Sequence, residues 1–342
     1  MDKINKYQTG VILLAVIAGL LIGYIEVVAN YSSNLIVPLL MVMLYGLFLS
    51  VNINDLKSSF FNSKFLIINI LLNFVWTPAL AYILGYVFLI DELPIWIGFV
   101  MLMVTPCTDW YLVFTGVAKG NVPLSTSILP VNLILQVLLL PVYLMIFFGK
   151  SGSVELSSLV ESILLVLVIP FFLALMTKRS IGKKDKSGMR LLHFFEKSQV
   201  LFLALAIVAM FASEGKNLID NPDVIYKLLI PVLLFFVIIF FVSQVISKLL
   251  KFNRADKVSL VLTTMARNSP VSLAIAVSAF SSEPLIALSL VIGPLIELPV
   301  LVLVAQILLK TRTSVESHLE NNDPGPLNQF TGVNERFSDD EN

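Results

Sequence analysis

Three short stretches of an otherwise apolar chain carry side chains that can bind, pair or hold a proton. In Val104–Gly120, the residues Thr105, Pro106, Cys107, Thr108 and Asp109 follow one another inside a hydrophobic span. In Met265–Val271 the run is Arg267, Asn268, Ser269 and Pro270, and the third stretch, GPLIELP, holds Gly293, Pro294, Glu297 and Pro299. Cys107 is the single cysteine, so no internal disulfide forms. A lone buried cysteine is most often a small polarisable hydrophobe. Its place directly after a helix-breaking proline opens a second reading, a soft ligand with the positive end of a new helix beside it. Asp109 and Arg267 are opposite charges, one in each interrupted stretch. They read as an ion pair fixing a crossing of the two, or as part of ion coupling. Glu297 reads as an acid held neutral by a hydrogen bond, with Asn132 or Gln136 as partner, or as a proton carrier that loads and unloads near neutral pH. Thr105, Thr108, Asn268 and Ser269 offer hydroxyl and amide groups to a hydroxylated substrate, or cap exposed helix ends.

The elements that position these residues are transmembrane helices. The chain has 342 residues, 57% hydrophobic and 13% charged, with a mean hydropathy of +0.91. Soluble domains carry about twice that charge, and the alternating ~10-residue segments of a β-barrel are absent. Ten apolar spans are expected: Gly10–Ala29, Leu35–Val51, Phe65–Ile90, Ile95–Ala118, Val122–Phe148, Leu156–Met176, Val200–Ala212, Val224–Leu250, Val258–Phe280 and Leu285–Leu309. Asn69 with Asn73, and Asn132 with Gln136, are each four apart and share a helix face, where hydrogen bonds between helices are the expected role. Met1–Thr9 reads as a short charged lead without a cleavable signal, and residues 311–342 as an acidic, disordered tail.

The two interrupted spans are related. An offset of 161 residues, without a gap, lays Cys107 on Asn268, Thr108 on Ser269, Ala118 on Ala279, Pro123 on Pro284 and Gln136 on Glu297. Interrupted segments at matching places in two halves point to a transporter's binding site. Residues 1–148 and 157–310 are accordingly expected to be two five-span repeats joined by a loop at 149–156. With the N-terminus cytoplasmic, 18 of the 23 Lys and Arg fall in inside segments and three outside. That bias puts both termini in the cytoplasm. Five spans per half then insert in opposite senses, as inverted repeats. There is no HExxH motif, no second intramembrane aspartate to make a dyad with Asp109, and no phosphate-binding loop. An enzyme is not expected, nor a cofactor or a nucleic-acid partner. Pumping is expected to be gradient-driven or to need a separate ATPase subunit.

TPCTDWYLVFTGVAKGN, RNSPVSLAIAVSAF and VIGPLIELPVL resemble the fourth-, ninth- and tenth-span signatures of the arsenical-resistance permeases, a branch of the bile acid/sodium symporter superfamily. The resemblance covers roughly residues 10–310. It implies an all-α membrane fold of ten helices in two inverted five-helix repeats. The discontinuous fourth and ninth helices would cross at mid-membrane, in a core that moves against a panel. It also implies export of arsenite, often antimonite, across the plasma membrane, driven by protons and without a cofactor. The family's functional cysteine and glutamate match Cys107 and Glu297. Cys107 is then the soft ligand to arsenic(III), with Thr108, Asn268 and Ser269 around the substrate and Asp109 beside Glu297 in coupling. A homodimer is compatible with this family. The chain departs from the pattern at Asp109-Trp110-Tyr111 and at Arg267-Asn268-Ser269-Pro270. Sodium-coupled members gather oxygens around sodium at the crossing, and Arg267 would put a fixed positive charge there. The competing expectation is a sodium-coupled importer of an organic anion, with Arg267 pairing the anion's carboxylate.

Overall fold

The computed structural model describes residues 3–50, 62–108, 110–149, 156–181, 186–220 and 222–322. Among the described residues the chain is helical and contains no strand. We number the helices α1 (Lys3–Ile22), α2 (Glu26–Ser50), α3 (Ser63–Leu89), α4 (Leu93–Met103), α5 (Trp110–Val117), α6 (Val122–Phe148), α7 (Ser157–Ser180), α8 (Lys186–Asp220), α9 (Asp223–Leu249), α10 (Arg254–Met265), α11 (Ser269–Ala279) and α12 (Pro284–Asn322). Six of these, α2, α3, α6, α7, α9 and α12, are long and apolar enough to cross a membrane. Their outward faces are apolar: Val75, Ile83 and Val87 on α3, Leu138, Val142 and Ile146 on α6, and Val237, Phe241 and Val245 on α9 are exposed. Polar residues lie inside instead, with Asn69, Asn73, Thr105, Ser272 and Thr263 fully buried. That inversion suits a lipid surround, in which every polar group must find its partner within the protein.

Two packing groups are evident. α8 packs along α2 and α1, and α7 along α2. α1 meets α8 backbone to backbone at Gly19 and Gly23. A Cβ on Gly19 would stand 2.7 Å from Val208 O, and one on Gly23 would stand 2.7 Å from Ala212 O. Small residues four apart permit that approach. In the other group α12 packs on α4 and α11, and α9 on α10, α3 and α12.

Local sequence explains the irregular turns. α3 contains a π-helical turn at Leu72–Trp76, followed by Pro78. Proline has no N–H to give to the carbonyl four residues back, and the Tyr143 hydroxyl of α6 donates to that carbonyl, Phe74 O, at 2.6 Å. α7 likewise carries a π turn at Leu164–Val168 just before Pro170. α6 bends between Ser127 and Leu129, ahead of Pro130.

Some boundaries differ from expectation. The first and second spans divide at Gly23–Ile25, not near residue 30, and Glu26 is the exposed first residue of α2. Nothing polar marks that turn, so hydropathy runs through it. The seventh span, expected over Val200–Ala212 or extended back to Leu191, is the longer α8, and α12 runs to Asn322, so the first part of the expected tail is helical. Most of the 149–156 loop and residues 323–342 lie outside the described residues.

Candidate functional site: the crossing of two broken helices

α4 ends at Met103 and α5 starts at Trp110, while α10 ends at Met265 and α11 starts at Ser269. The two extended links meet as a short antiparallel pair. Cys107 N donates to Ala266 O at 2.9 Å, Asn268 N donates to Thr105 O at 2.7 Å, and Pro106 stands opposite Arg267. Residues 105, 106 and 107 precede 266, 267 and 268 by the 161 positions found in the sequence, so each bond is the other's image. The freed backbone groups of one broken helix are thus satisfied by the other. Hydroxyls reinforce the join. Thr105 Oγ1 and Ser272 Oγ are 2.8 Å apart, and each also donates to Met101 O, at 3.0 and 2.9 Å.

The side chains break this local two-fold relation. Pro106 has no backbone N–H, whereas Arg267 N donates to Glu297 Oε1 at 2.8 Å. Arg267 is 2% exposed. Its Nε donates to Met265 O at 3.0 Å, Nη1 to Met103 O at 2.8 Å, and Nη2 to Asn73 Oδ1 at 3.2 Å and to Thr264 O. Phe235 of α9 lies under the guanidinium, 5.2 Å from ring centroid to Cζ. Met103, Thr264 and Met265 sit at the C-terminal ends of α4 and α10, where carbonyls lack helical partners and the helix dipole is negative. Two such ends converge on one position, and the chain supplies its own cation there. Asn73 is held in turn: its Nδ2 donates to Thr263 O and to Asn69 Oδ1, both at 3.2 Å, and Asn69 Nδ2 donates to Thr263 Oγ1 at 2.9 Å.

The crossing brings together Cys107, Thr108, Arg267, Asn268 and Glu297, all buried. Asn268 caps α11, its side-chain oxygen accepting from Val271 N at 3.4 Å, while its Nδ2 faces Thr108 Oγ1 at 3.4 Å. The Ser269 hydroxyl donates away from the link, to Leu290 O on α12. Cys107 lies in the extended link, three residues before α5, rather than at a helix start. Asp109 lies outside the described residues, and with it the expected Asp109–Arg267 pair. The expected bond from Glu297 to Asn132 or Gln136 is not made, because neither of those amides has a hydrogen-bond partner among the described residues. Asn69 and Asn73 do bond between helices as expected; Asn132 and Gln136, with the same spacing, do not. Asn73 as a ligand of the guanidinium was missed. Its only trace in the sequence is the pair of asparagines, four apart, in an apolar span.

A cavity of about 30 Å³ opens beside the crossing. Arg267, Ser269 and Glu297 line one side, and Val16 of α1 with Leu203 and Ile207 of α8 line the other. It therefore lies between the two packing groups and has room for water-sized molecules only. Charge, hydroxyl and apolar walls meet at a helix break deep in an apolar bundle, which is the arrangement of a membrane transport site.

Sequence comparison agrees. The model of the sodium bile acid symporter family matches residues 37–221, more than half of the chain, and the chain belongs to that family. It is a multi-pass membrane transporter. Among its relatives is the arsenical-resistance protein Acr3 of Corynebacterium glutamicum, 28% identical over 77% of this chain and 75% of that protein. The Acr3 of Alkaliphilus metalliredigens is 21% identical over 90% and 93%. An uncharacterized sodium-dependent transporter of Bacillus subtilis, YocS, is 23% identical over 74% and 76%.

Proposed function

We propose that this protein exports arsenite, and antimonite as a related substrate, by proton-coupled alternating access. In this reading ten spans form two inverted repeats in the plasma membrane, with both termini cytoplasmic. The observation that carries the reading is the occupant of the crossing. The carbonyl ends of two broken helices, which could otherwise hold a mobile cation, face the guanidinium of Arg267. A second positive charge in the same oxygen cage would be strongly repelled, so coupling to sodium is disfavoured. Glu297, buried and on the cavity wall, is then the group available to carry a proton. The one thiol of the chain is fixed in the same link through its own backbone N–H. Arsenic(III) is thiophilic, and a single thiolate binds it without the chelation that would prevent release. Thr108 and Asn268 lie beside it for the substrate's hydroxyls, with Ser269 on the cavity wall.

The organic-anion reading asks Arg267 to greet a carboxylate. Four protein oxygens already take its donors, which leaves that role poorly supported. Inside-out vesicles containing the protein test the choice. Arsenite accumulation is expected with an imposed proton gradient, not with a sodium gradient, and is expected to be lost in Cys107→Ser. Uptake that follows sodium, or no arsenite uptake under either gradient, overturns the proposal. Uptake that survives Cys107→Ser removes the thiol from the path.

A further inference from the structure

One face of α6 carries polar groups that the crossing does not use. Asn132, Gln136 and Tyr143 are spaced by four and seven residues, so they share a single stripe along the helix after its bend, and Ser125 lies in the short stretch before it. All four are buried, Ser125 and Asn132 completely and Gln136 to 1% exposure. Tyr143 shows where the stripe looks, since its hydroxyl reaches Phe74 O in the π turn of α3. The Ser125 hydroxyl and both amides, oxygen and nitrogen alike, have no hydrogen-bond partner among the described residues. On α3, one residue past the π turn, the Thr77 hydroxyl is equally buried and unpaired. Buried polar groups in proteins are almost always bonded, and a cluster left open calls for something that fills it.

The offset of 161 explains why the protein itself does not. Gln136 corresponds to Glu297, and Pro106 to Arg267. Glu297 takes the N–H of Arg267; the corresponding atom for Gln136 would be the N of Pro106, which carries no hydrogen. The first half thus has the acceptor without its donor. It also has an amide where the second half has a carboxylate.

We infer that Asn132 and Gln136 form a second polar subsite that takes a small neutral molecule able both to donate and to accept hydrogen bonds. Primary amides present both kinds of group, and no ionised side chain shares their stripe, so an ion there would lack a counter-charge from α6. Two sources supply this chemistry: water, or the hydroxyls of a neutral trihydroxide such as arsenite. The second source rests on the arsenite reading above. The subsite would give such a solute a station on the α6 side of the crossing, apart from the cavity at Glu297.

Gln136→Met and Asn132→Leu keep volume and remove the polar groups. Purified protein would be melted in detergent with and without sodium arsenite. If water fills the subsite, each variant melts lower than wild type by about 2 °C or more, and the arsenite-induced rise in melting temperature is unchanged. If arsenite hydroxyls fill it, melting without arsenite is unaltered or higher, and the arsenite-induced rise shrinks at least threefold. Variants that melt higher and keep the full arsenite response show an empty site and overturn the inference. Wild-type protein without any arsenite response defeats the arsenite source and the function proposed above. The melting comparison without arsenite still decides for or against water.

Discussion

Arg267 and Glu297 make a quantitative prediction about what holds the crossing. Arg267→Met removes the buried cation and leaves the carbonyls of Met103, Thr264 and Met265 facing a thioether, with Glu297 uncompensated. Glu297→Gln keeps an acceptor for Arg267 N but removes the carboxylate charge bonded to that residue. Breaking a buried charge pair from one side costs about 3–5 kcal/mol. At about 2 °C per kcal/mol for a chain of this size, each single variant should melt about 6–10 °C below wild type. In the double variant no charge is left uncompensated. What remains is the loss of hydrogen bonds to the helix-end carbonyls, about 1–3 kcal/mol for each group left unmet. The double variant should therefore lie close to Arg267→Met alone, so that the coupling between the sites equals the whole cost of Glu297→Gln, about 3–5 kcal/mol. Thermal melts followed by intrinsic fluorescence in detergent would measure the cycle. Losses that add to within about 0.5 kcal/mol would show two independent side chains, and the charge argument for the crossing would fail.

Arg267→Gln vacates the cation position while keeping a polar side chain, so sodium chloride, compared with choline chloride, should raise the melting temperature of this variant and not of wild type. Gly98→Ala drives a Cβ to 2.7 Å from Ile286 O and from Ser289 Cβ; separating α4 from α12 should cost about 1–3 kcal/mol, visible as a lower melting temperature. Tyr143→Phe leaves Phe74 O buried without the hydroxyl that caps it, a loss of about 1–3 kcal/mol. Adding Pro78→Ala restores a backbone N–H and should recover part of that loss in the same melt.

Much of the site was legible because the residues that break helices are also those that hydropathy notices. Pro106 and Arg267 interrupt apolar runs, and the offset that relates them in sequence is the one that pairs their backbones in space. The turn at Gly23–Ile25 was not legible, since it is made of apolar residues and glycine. The partners of Arg267 were not legible either: three of them are backbone carbonyls, which every residue possesses, and only the convergence of two helix ends singles them out. The two i,i+4 polar pairs make the limit plain. Asn69 and Asn73 find Thr263 on α10, while Asn132 and Gln136 find no partner among the described residues. Spacing places side chains on a face, but the neighbouring element decides whether that face is met.

The difference between the halves has a mechanistic consequence. Backbone pairing at the crossing is two-fold, so neither link is favoured by hydrogen bonding alone. The described charges are not shared in that way: Arg267 and Glu297 both belong to the second half, and the corresponding positions in the first hold proline and a neutral amide. A mechanism that swaps the roles of two equivalent halves would ask a proline and a neutral amide to do the work of Arg267 and Glu297. The asymmetry instead gives the second half a fixed electrostatic task, neutralising two helix ends and presenting Glu297 to the cavity between the packing groups. The first half supplies the thiol of Cys107 and the amide of Gln136, while Asp109 lies outside the described residues. The proton carrier would then belong to the second half and the thiol ligand to the first, so that Glu297→Gln and Cys107→Ser should fail in different ways. The first should abolish dependence on the proton gradient while arsenite still binds; the second should weaken arsenite binding while the response to pH remains. Loss of both properties in both variants would contradict that division.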